Sequence, residues 1–285
     1  MIPAEFDYVA PTTLQEAITA LSEAGEDAKI LAGGQSLIPV LRLRLAFPTV
    51  LIDLSKVDEL RGVRDDGDAL LIGAMTKHSD VIEDPLVKQF AALVAEATER
   101  VADPAVRHRG TFGGALAHAD PAGDLAAVAL ALDAEFIAEG PGGRRSIPVA
   151  DFFLDYLETA LTPDEILAAV RIPKLEGWGV RYEKFNRVAQ AWAIVGVATA
   201  VRMEGGSIAE ARIGLTNMGS TPVRPAATEA ALVGASTRAE ITQAAASAAD
   251  GTNPPSDLGA KADYRQHLAR VLTARAVATA AGISS

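Results

Sequence analysis

Two glycine-rich loops contain the residues whose types and spacing could do chemistry. The first runs Leu31-Ala32-Gly33-Gly34-Gln35-Ser36-Leu37, and the second runs Arg109-Gly110-Thr111-Phe112-Gly113-Gly114-Ala115. Adjacent glycines after a short apolar run let a ligand approach the backbone closely, and free N–H groups there can bind an anion. The pattern predicts that both loops hold the phosphates of one nucleotide-like cofactor. Two tight turns in a globular α/β protein are the alternative.

The composition excludes several classes of function. The chain has 285 residues and a formal net charge of -11, without a Lys/Arg-rich run, which argues against nucleic acid as the main partner. It contains no cysteine, which excludes disulfides, iron–sulfur ligation and thiolate catalysis within the chain. No apolar stretch approaches the roughly 20 residues that cross a bilayer, and the start does not resemble a signal peptide. We therefore expect a cytoplasmic protein that does not span a membrane.

The length of the chain predicts two or three domains. Residues 6–54 read as β-α-β-α-β with parallel pairing, in which Thr12 or Thr13 forms a capping box with Glu16 and Ser36 caps the second helix. A hairpin, helices and further strands follow up to residue 172. Three antiparallel strands, at 180–186, 191–203 and 208–215, then precede helices, the last at 258–281. The expected domains are 1–57, 58–177 and 178–285.

No catalytic constellation is visible in the sequence. There is no G-x-G-x-x-G, no Walker lysine, no nucleophile elbow and no H-E-x-x-H. His118 and Asp120 could form a hydrogen-bonded pair in a cofactor loop, or could lie at the surface. Asp65 and Asp66 are adjacent carboxylates in a turn, where we expect solvation. If the chain is enzymatic, its chemistry belongs to a cofactor.

The two loops together resemble the FAD-binding loops of the flavoprotein subunits of molybdenum hydroxylases. The similarity extends over essentially the whole chain and includes the motifs Glu165-Ile166-Leu167, Tyr182-Glu183-Lys184 and Ile213-Gly214-Leu215-Thr216-Asn217. It is greatest to the aerobic carbon monoxide dehydrogenase group. The resemblance implies an α+β fold of the vanillyl-alcohol-oxidase type. In that fold FAD lies between a small N-terminal α/β domain and an α+β middle domain, beside a C-terminal domain of three antiparallel strands and helices.

The resemblance also implies which loop residues contact FAD. These are Leu31, Ala32, Gly33, Gly34, Gln35, Ser36 and Leu37 of the first loop, and Gly110, Thr111, Phe112, Gly113, Gly114 and Ala115 of the second. Backbone N–H groups and a helix N-terminus are expected to stabilise the charge of the diphosphate. No metal ligand and no catalytic residue is implied.

Five further positions match cofactor contacts of the family. Asp124 is expected to accept hydrogen bonds from cofactor hydroxyls, although it could equally cap the following helix. Lys184 is expected near the flavin, where a cation stabilises the negative charge of the reduced ring, unless it is a solvated strand lysine. Trp192 is expected beside the isoalloxazine, or otherwise in the core. Val101 and Leu167 match apolar positions of the pocket and would also suit a core.

The implied function is that of an FAD-binding electron-transfer subunit. Its partners would be a small [2Fe-2S] subunit and a large molybdopterin subunit, assembled as a dimer of heterotrimers. Electrons would pass through FAD to quinone, oxygen or another external acceptor, at a cytoplasmic location that includes the inner face of the membrane. The lack of cysteine agrees, because the clusters must then lie in another chain.

Three alternatives remain open at the level of the sequence. Gln35 stands where the carbon monoxide dehydrogenase group often has histidine, and Phe112 where isoleucine is common. These departures leave open an azaheterocycle hydroxylase or an aldehyde/xanthine-type hydroxylase. A free-standing flavin oxidoreductase would need a base near the flavin, and the sequence offers no convincing candidate. A non-enzymatic binding module would use the glycine loops only as turns.

Overall fold

A small parallel sheet begins the chain in the computed structural model, which describes residues 2–283. Its elements are β1 (Asp7–Val9), α1 (Leu14–Ala24), β2 (Ala28–Leu31), α2 (Leu37–Arg42) and β3 (Val50–Asp53). The strand order is β1-β3-β2 and both pairings are parallel, as predicted. The predicted capping box is confirmed at Thr13, whose hydroxyl accepts from the Glu16 N–H while the Glu16 carboxylate accepts in return. This cap fixes the start of α1, whose apolar face packs on the sheet.

A five-stranded antiparallel sheet follows. Its strands are β4 (Val63–Asp66), β5 (Ala69–Gly73), β6 (Glu135–Gly140), β7 (Gly143–Pro148) and β10 (Ile166–Pro173), and a two-stranded ribbon, β8 (Phe153–Asp155) and β9 (Glu158–Thr159), lies between β7 and β10. The helices are α3 (His78–Glu83), α4 (Pro85–Phe90), α5 (Ala92–Glu99), α6 (Pro104–Arg107), α7 (Phe112–His118), α8 (Asp124–Ala131) and α9 (Val149–Phe152). The sheet order is β4-β5-β10-β6-β7, so the last strand occupies the centre. The buried β10 thereby joins two hairpins into one sheet.

The third sheet is antiparallel and belongs to the C-terminal part of the chain. It contains β11 (Trp178–Phe185), β12 (Val195–Glu204) and β13 (Ser207–Thr216), followed by α10 (Ala226–Leu232), α11 (Arg238–Ala245) and α12 (Ala262–Ala280). The prediction that strand structure begins at residue 191 was wrong, because residues 191–194 are irregular. The Asn217 amide donates to the Ala193 carbonyl at 2.7 Å, and the Arg265 guanidinium donates to the Ile194 carbonyl. These side chains occupy carbonyls that a strand would use for its neighbours.

Each hydrophobic core beside the first two sheets also contains residues of another sheet. Ile166 and Ala168 of β10 pack with α1 and β3, and Tyr182 and Ala198 of the third sheet belong to the core of the second. Gly214 of β13 lies so close to α8 that an added Cβ would be 2.7 Å from a backbone carbon of Ala127. Consequently the segments between the sheets are held in fixed positions. Among the described helices, none combines the length and apolar character needed to cross a membrane.

Candidate functional site

One cavity of about 640 Å³ brings together residues from all three sheets. Most of the positions singled out in the sequence line it: Ala32, Gly33, Gly34, Gln35, Ser36, Leu37, Val101, Gly110, Thr111, Gly113, Gly114, Ala115, Asp124, Leu167, Lys184 and Trp192. The two exceptions are Leu31 and Phe112. The Phe112 ring is 1% exposed and packs in the core of the second sheet, and Leu31 packs towards the Gly34 and Ile38 side of its own loop.

The first glycine loop presents free backbone donors. Among residues 2–283, the N–H groups of Gly34, Gln35 and Ser36 have no hydrogen-bond acceptor. Gly34 has a φ of 73°, a conformation that favours glycine, and this turn directs the chain into α2. Ser36 already has helical backbone angles and makes no side-chain capping bond, so the prediction that it caps α2 was wrong. Free N–H groups at a turn before a helix are suited to an anion.

The second glycine loop differs from the first, because most of its N–H groups are engaged. The Phe112 and Gly113 N–H groups each donate at 2.9 Å to the Thr76 and Ala74 carbonyls. The Gly114 N–H donates to the Thr111 hydroxyl oxygen at 3.2 Å, which makes Thr111 the N-cap of α7. The Thr111 N–H has no hydrogen-bond acceptor among residues 2–283, so this loop also presents a free backbone donor. The engaged N–H groups fix the loop against the turn that follows β5.

Close packing requires glycine at one position in each loop. An added Cβ at Gly33 would lie 2.6 Å from the Gly110 Cα, and one at Gly113 would lie 2.6 Å from the Ala74 Cα. Both distances are far below any real Cβ contact with backbone. The two loops therefore meet face to face at the wall of the cavity.

A buried ionic cluster joins the middle of the chain to β11. The Lys184 ammonium donates to Asp124 Oδ2 at 2.8 Å and to the Arg100 carbonyl at 2.9 Å, and the Tyr182 hydroxyl donates to Asp124 Oδ1 at 2.6 Å. The side chains of Lys184 and Asp124 are 4% and 3% exposed. Burial raises the pKa of the Asp124 carboxyl, and the Lys184 cation opposes that rise. Burial also raises the pKa of Tyr182 well above its usual range, so its hydroxyl stays a donor.

The contacts in this cluster decide between the alternative roles that the sequence left open for Asp124 and Lys184. Gly123, not Asp124, is the N-cap of α8, so the capping role was wrong, and the buried Lys184 is not a solvated strand lysine. Lys184 uses two of its three donors within the chain, which leaves one for a ligand in the cavity that it lines. Sequence reasoning missed the role of Tyr182. The signal was its position two residues before Lys184 on one strand, which puts both on the same face.

Trp192 lies in the irregular segment before β12 and is 53% exposed, so it is not a core tryptophan. The neighbouring Gln190 amide donates to the Asp103 carboxylate, and both Gln190 and Trp192 line the cavity. The indole is thus available to a flat ring at the cavity wall.

The remaining polar candidates are resolved by distance. His118 Nε2 and Asp120 Oδ2 are 4.0 Å apart, which is too long for a hydrogen bond, although both residues line the cavity. Asp65 is exposed, as expected, but both of its oxygens accept from the Lys174 ammonium at 2.8 Å, which lowers the pKa of Asp65. Within residues 2–283, no group of three or more His, Asp or Glu side chains could hold a metal ion.

Comparison with known protein families shows to which family the chain belongs. Residues 4–175 match the family described as FAD binding domain in molybdopterin dehydrogenase, and residues 180–280 match the CO dehydrogenase flavoprotein C-terminal domain. The chain belongs to this FAD-binding family. The chain is 42% identical to the carbon monoxide dehydrogenase medium chain of Hydrogenophaga pseudoflava, over 97% of each of the two chains.

Solved structures of the family agree with the fold. The carbon monoxide dehydrogenase from Hydrogenophaga pseudoflava that lacks the Mo-pyranopterin moiety superposes with a TM-score of 0.95 at 43% identity, over 98% of both chains. The quinoline 2-oxidoreductase from Pseudomonas putida 86 gives 0.94 at 34% identity, over 99% of both. The α+β fold with a C-terminal sheet of three antiparallel strands is confirmed.

FAD is the cofactor of this flavoprotein, which is the FAD-binding medium subunit of a molybdenum-containing oxidoreductase related to carbon monoxide dehydrogenase. The cavity suits the cofactor on its own chemistry. Free N–H groups at the first loop fit an anionic phosphate, and the half-exposed Trp192 fits a flat ring.

Proposed function

We propose that FAD occupies the cavity with its diphosphate between the two glycine loops and its flavin towards Lys184 and Trp192. The observation that carries this placement is that one cavity contains free backbone donors, a buried cation and an accessible indole. Val101 and Leu167 supply apolar wall. We propose that Leu31 and Phe112 approach FAD only through their backbones, because neither residue lines the cavity.

The chain's own residues would tune the site and position the cofactor. The Lys184 ammonium, fixed by Asp124 and the Arg100 carbonyl, favours negative charge on a ring beside it. The Tyr182 hydroxyl donates to the other oxygen of Asp124 and so fixes the carboxylate that Lys184 contacts. When bound, FAD supplies the ability to accept electrons and to pass them on.

We propose that the subunit relays electrons from the [2Fe-2S] clusters of a small partner subunit to an external acceptor such as a quinone. The substrate would be oxidised at the molybdopterin of a large subunit, within a dimer of heterotrimers at the cytoplasmic side of the membrane. The absence of cysteine supports clusters in another chain. Likeness to the Hydrogenophaga medium chain favours a carbon monoxide dehydrogenase-type complex, and likeness to quinoline 2-oxidoreductase keeps an azaheterocycle hydroxylase as the second candidate.

We also propose domain boundaries near residues 57 and 177. The first sheet ends at Asp53, the second spans Val63 to Pro173 and the third begins at Trp178, which supports both divisions.

The test is to co-express the chain with a molybdopterin large subunit and a [2Fe-2S] small subunit from the same organism and to purify the complex. We expect flavin absorbance, and bleaching of that absorbance when carbon monoxide is added without oxygen. Bleaching by an azaheterocycle in place of carbon monoxide would select the second candidate. A complex without flavin would contradict the proposal, and substrate turnover by the isolated chain would favour a free-standing oxidoreductase.

A further inference from the structure

His78 is a buried histidine at the cavity that neither the sequence pattern nor the similarity to relatives assigns. It is the first residue of α3, is 2% exposed and lines the cavity. Its backbone N–H donates to the Gly110 carbonyl at 3.0 Å, so the residue is attached directly to the second glycine loop. Burying an imidazole normally requires a hydrogen-bond partner for its ring nitrogens.

Among residues 2–283, the ring of His78 has no such partner. Nδ1 is enclosed and has no hydrogen bond among residues 2–283. The edge that carries Nε2 lies beside Gly110, where an added Cβ would be 3.2 Å from Nε2 and 2.9 Å from Cδ2. Nε2 is therefore the ring nitrogen left for a group in the cavity.

The protonation state agrees with a donor at Nε2. Burial, together with the positive charge of Arg107, lowers the pKa of His78 to about 4, so the ring is neutral at pH 7. A neutral imidazole carries one N–H, and placing it on Nε2 leaves only a lone pair at the enclosed Nδ1. An unpaired acceptor is more common in protein interiors than an unpaired N–H.

The second loop needs a donor of this kind. Its own Phe112, Gly113 and Gly114 N–H groups are engaged within the chain, so among residues 2–283 the Thr111 N–H is the backbone donor that this loop leaves for a phosphate. We infer that His78 is a diphosphate-binding residue of the FAD site, which donates a hydrogen bond from Nε2 to a phosphate oxygen. The inference rests on the proposed placement of FAD, with its diphosphate between the two loops.

The first experiment observes His78 in the full chain, with FAD removed and then restored, by NMR of ¹⁵N-labelled histidine. A phosphate beside the ring should raise the pKa of His78 by about one pH unit or more. Riboflavin, which lacks the diphosphate, should leave that pKa unchanged. An unchanged pKa with FAD bound would overturn the inference but not the flavin site. An equal rise with riboflavin would overturn the contact with phosphate.

The second experiment uses variants that place a donor at one ring position or remove it. The side-chain amide of His78→Gln reaches the Nε2 position, so its FAD affinity should stay within about threefold of the wild type. His78→Asn and His78→Phe should lose about ten- to hundredfold, the usual effect of one hydrogen bond to a charged group. Should His78→Phe not fold, the comparison of Gln with Asn decides.

The matched control is His108→Gln. His108 is exposed, contacts the Pro104 carbonyl through Nδ1 at 2.7 Å and does not line the cavity, so FAD affinity should not change. Equal affinity of His78→Phe and wild type would overturn the inference alone. A wild-type chain that does not bind FAD would overturn both the inference and the proposed function.

Discussion

Asp124 and Lys184 form a buried ion pair whose partners depend on each other. Their side chains are almost fully enclosed, and they meet at 2.8 Å. Removing one member of such a pair strands the other charge in a medium of low polarity, which typically costs about 3–5 kcal/mol. The remaining charge can escape part of this cost by changing its protonation state.

At this scale we predict that Lys184→Met destabilises the protein by about 3 kcal/mol at pH 8 and by less at pH 5. The pKa of Asp124 is already raised above its ordinary value of 3.8 by burial, and losing Lys184 raises it further. A carboxyl with a higher pKa in the folded state stabilises that state below the unfolded pKa. This stabilisation is lost as the pH rises through the folded value. Urea unfolding at both pH values measures the difference.

The control for this prediction is the double variant Lys184→Met/Asp124→Asn, which removes both charges. We expect it to regain part of the loss at pH 8 and to show little pH dependence. A Lys184→Met variant with the same deficit at both pH values, unrelieved by the second substitution, would mean that the pair does not act as described.

At the scale of elements, α7 depends on its cap because the helix is short. Thr111 is the N-cap, and the bonds of Phe112 and Gly113 to the Thr76 and Ala74 carbonyls anchor the first turn. The same residues form the second glycine loop, so the start of the helix and the wall of the cavity are one structure. A change in the cap should therefore affect both stability and FAD binding.

We predict that Thr111→Ala costs about 1 kcal/mol of stability and also weakens FAD binding, while Thr111→Ser restores both. The matched control is Thr237→Ala, which removes the N-cap of α11, far along the chain and outside the cavity lining. It should cost a similar stability and leave FAD affinity unchanged. Thermal unfolding and flavin titration of both variants give the comparison, and equal FAD affinities would refute the link.

At the scale of the whole molecule, the cavity exists because loops from different sheets approach closely. Gly33 follows the parallel sheet and Gly110 precedes α7, yet a Cβ on the first would lie 2.6 Å from the Cα of the second. Backbone atoms cannot yield as the end of a flexible side chain can. The absence of a side chain at Gly33 therefore allows two parts of the fold to approach closely.

We predict that Gly33→Ala pushes the loops apart, costs about 1–3 kcal/mol of stability and weakens FAD binding about tenfold or more. Gly142→Ala is the control, because an added Cβ there meets no atom within 4 Å. Flavin titration should separate the two variants while circular dichroism shows the same secondary structure. Tight FAD binding by Gly33→Ala would contradict the close approach.

Local features were predicted well from the sequence, and for local reasons. The Thr13–Glu16 capping box, the parallel opening unit and most strands are encoded by residues close in the chain, through propensity, periodicity and turns. The glycine loops were found because glycine is needed for both conformation and close approach. The absence of cysteine already placed iron–sulfur ligation outside this chain.

Only the tertiary structure decided which of these features share a site. It paired Asp124 with Lys184 and Tyr182, assigned two N–H groups of the second loop to Thr76 and Ala74, and kept residues 191–194 out of β12. Each of these outcomes depends on contacts between segments distant in sequence, whose free energy no local propensity contains. The enclosed ring of His78 is of the same kind, because burial and missing partners appear only when the chain is folded.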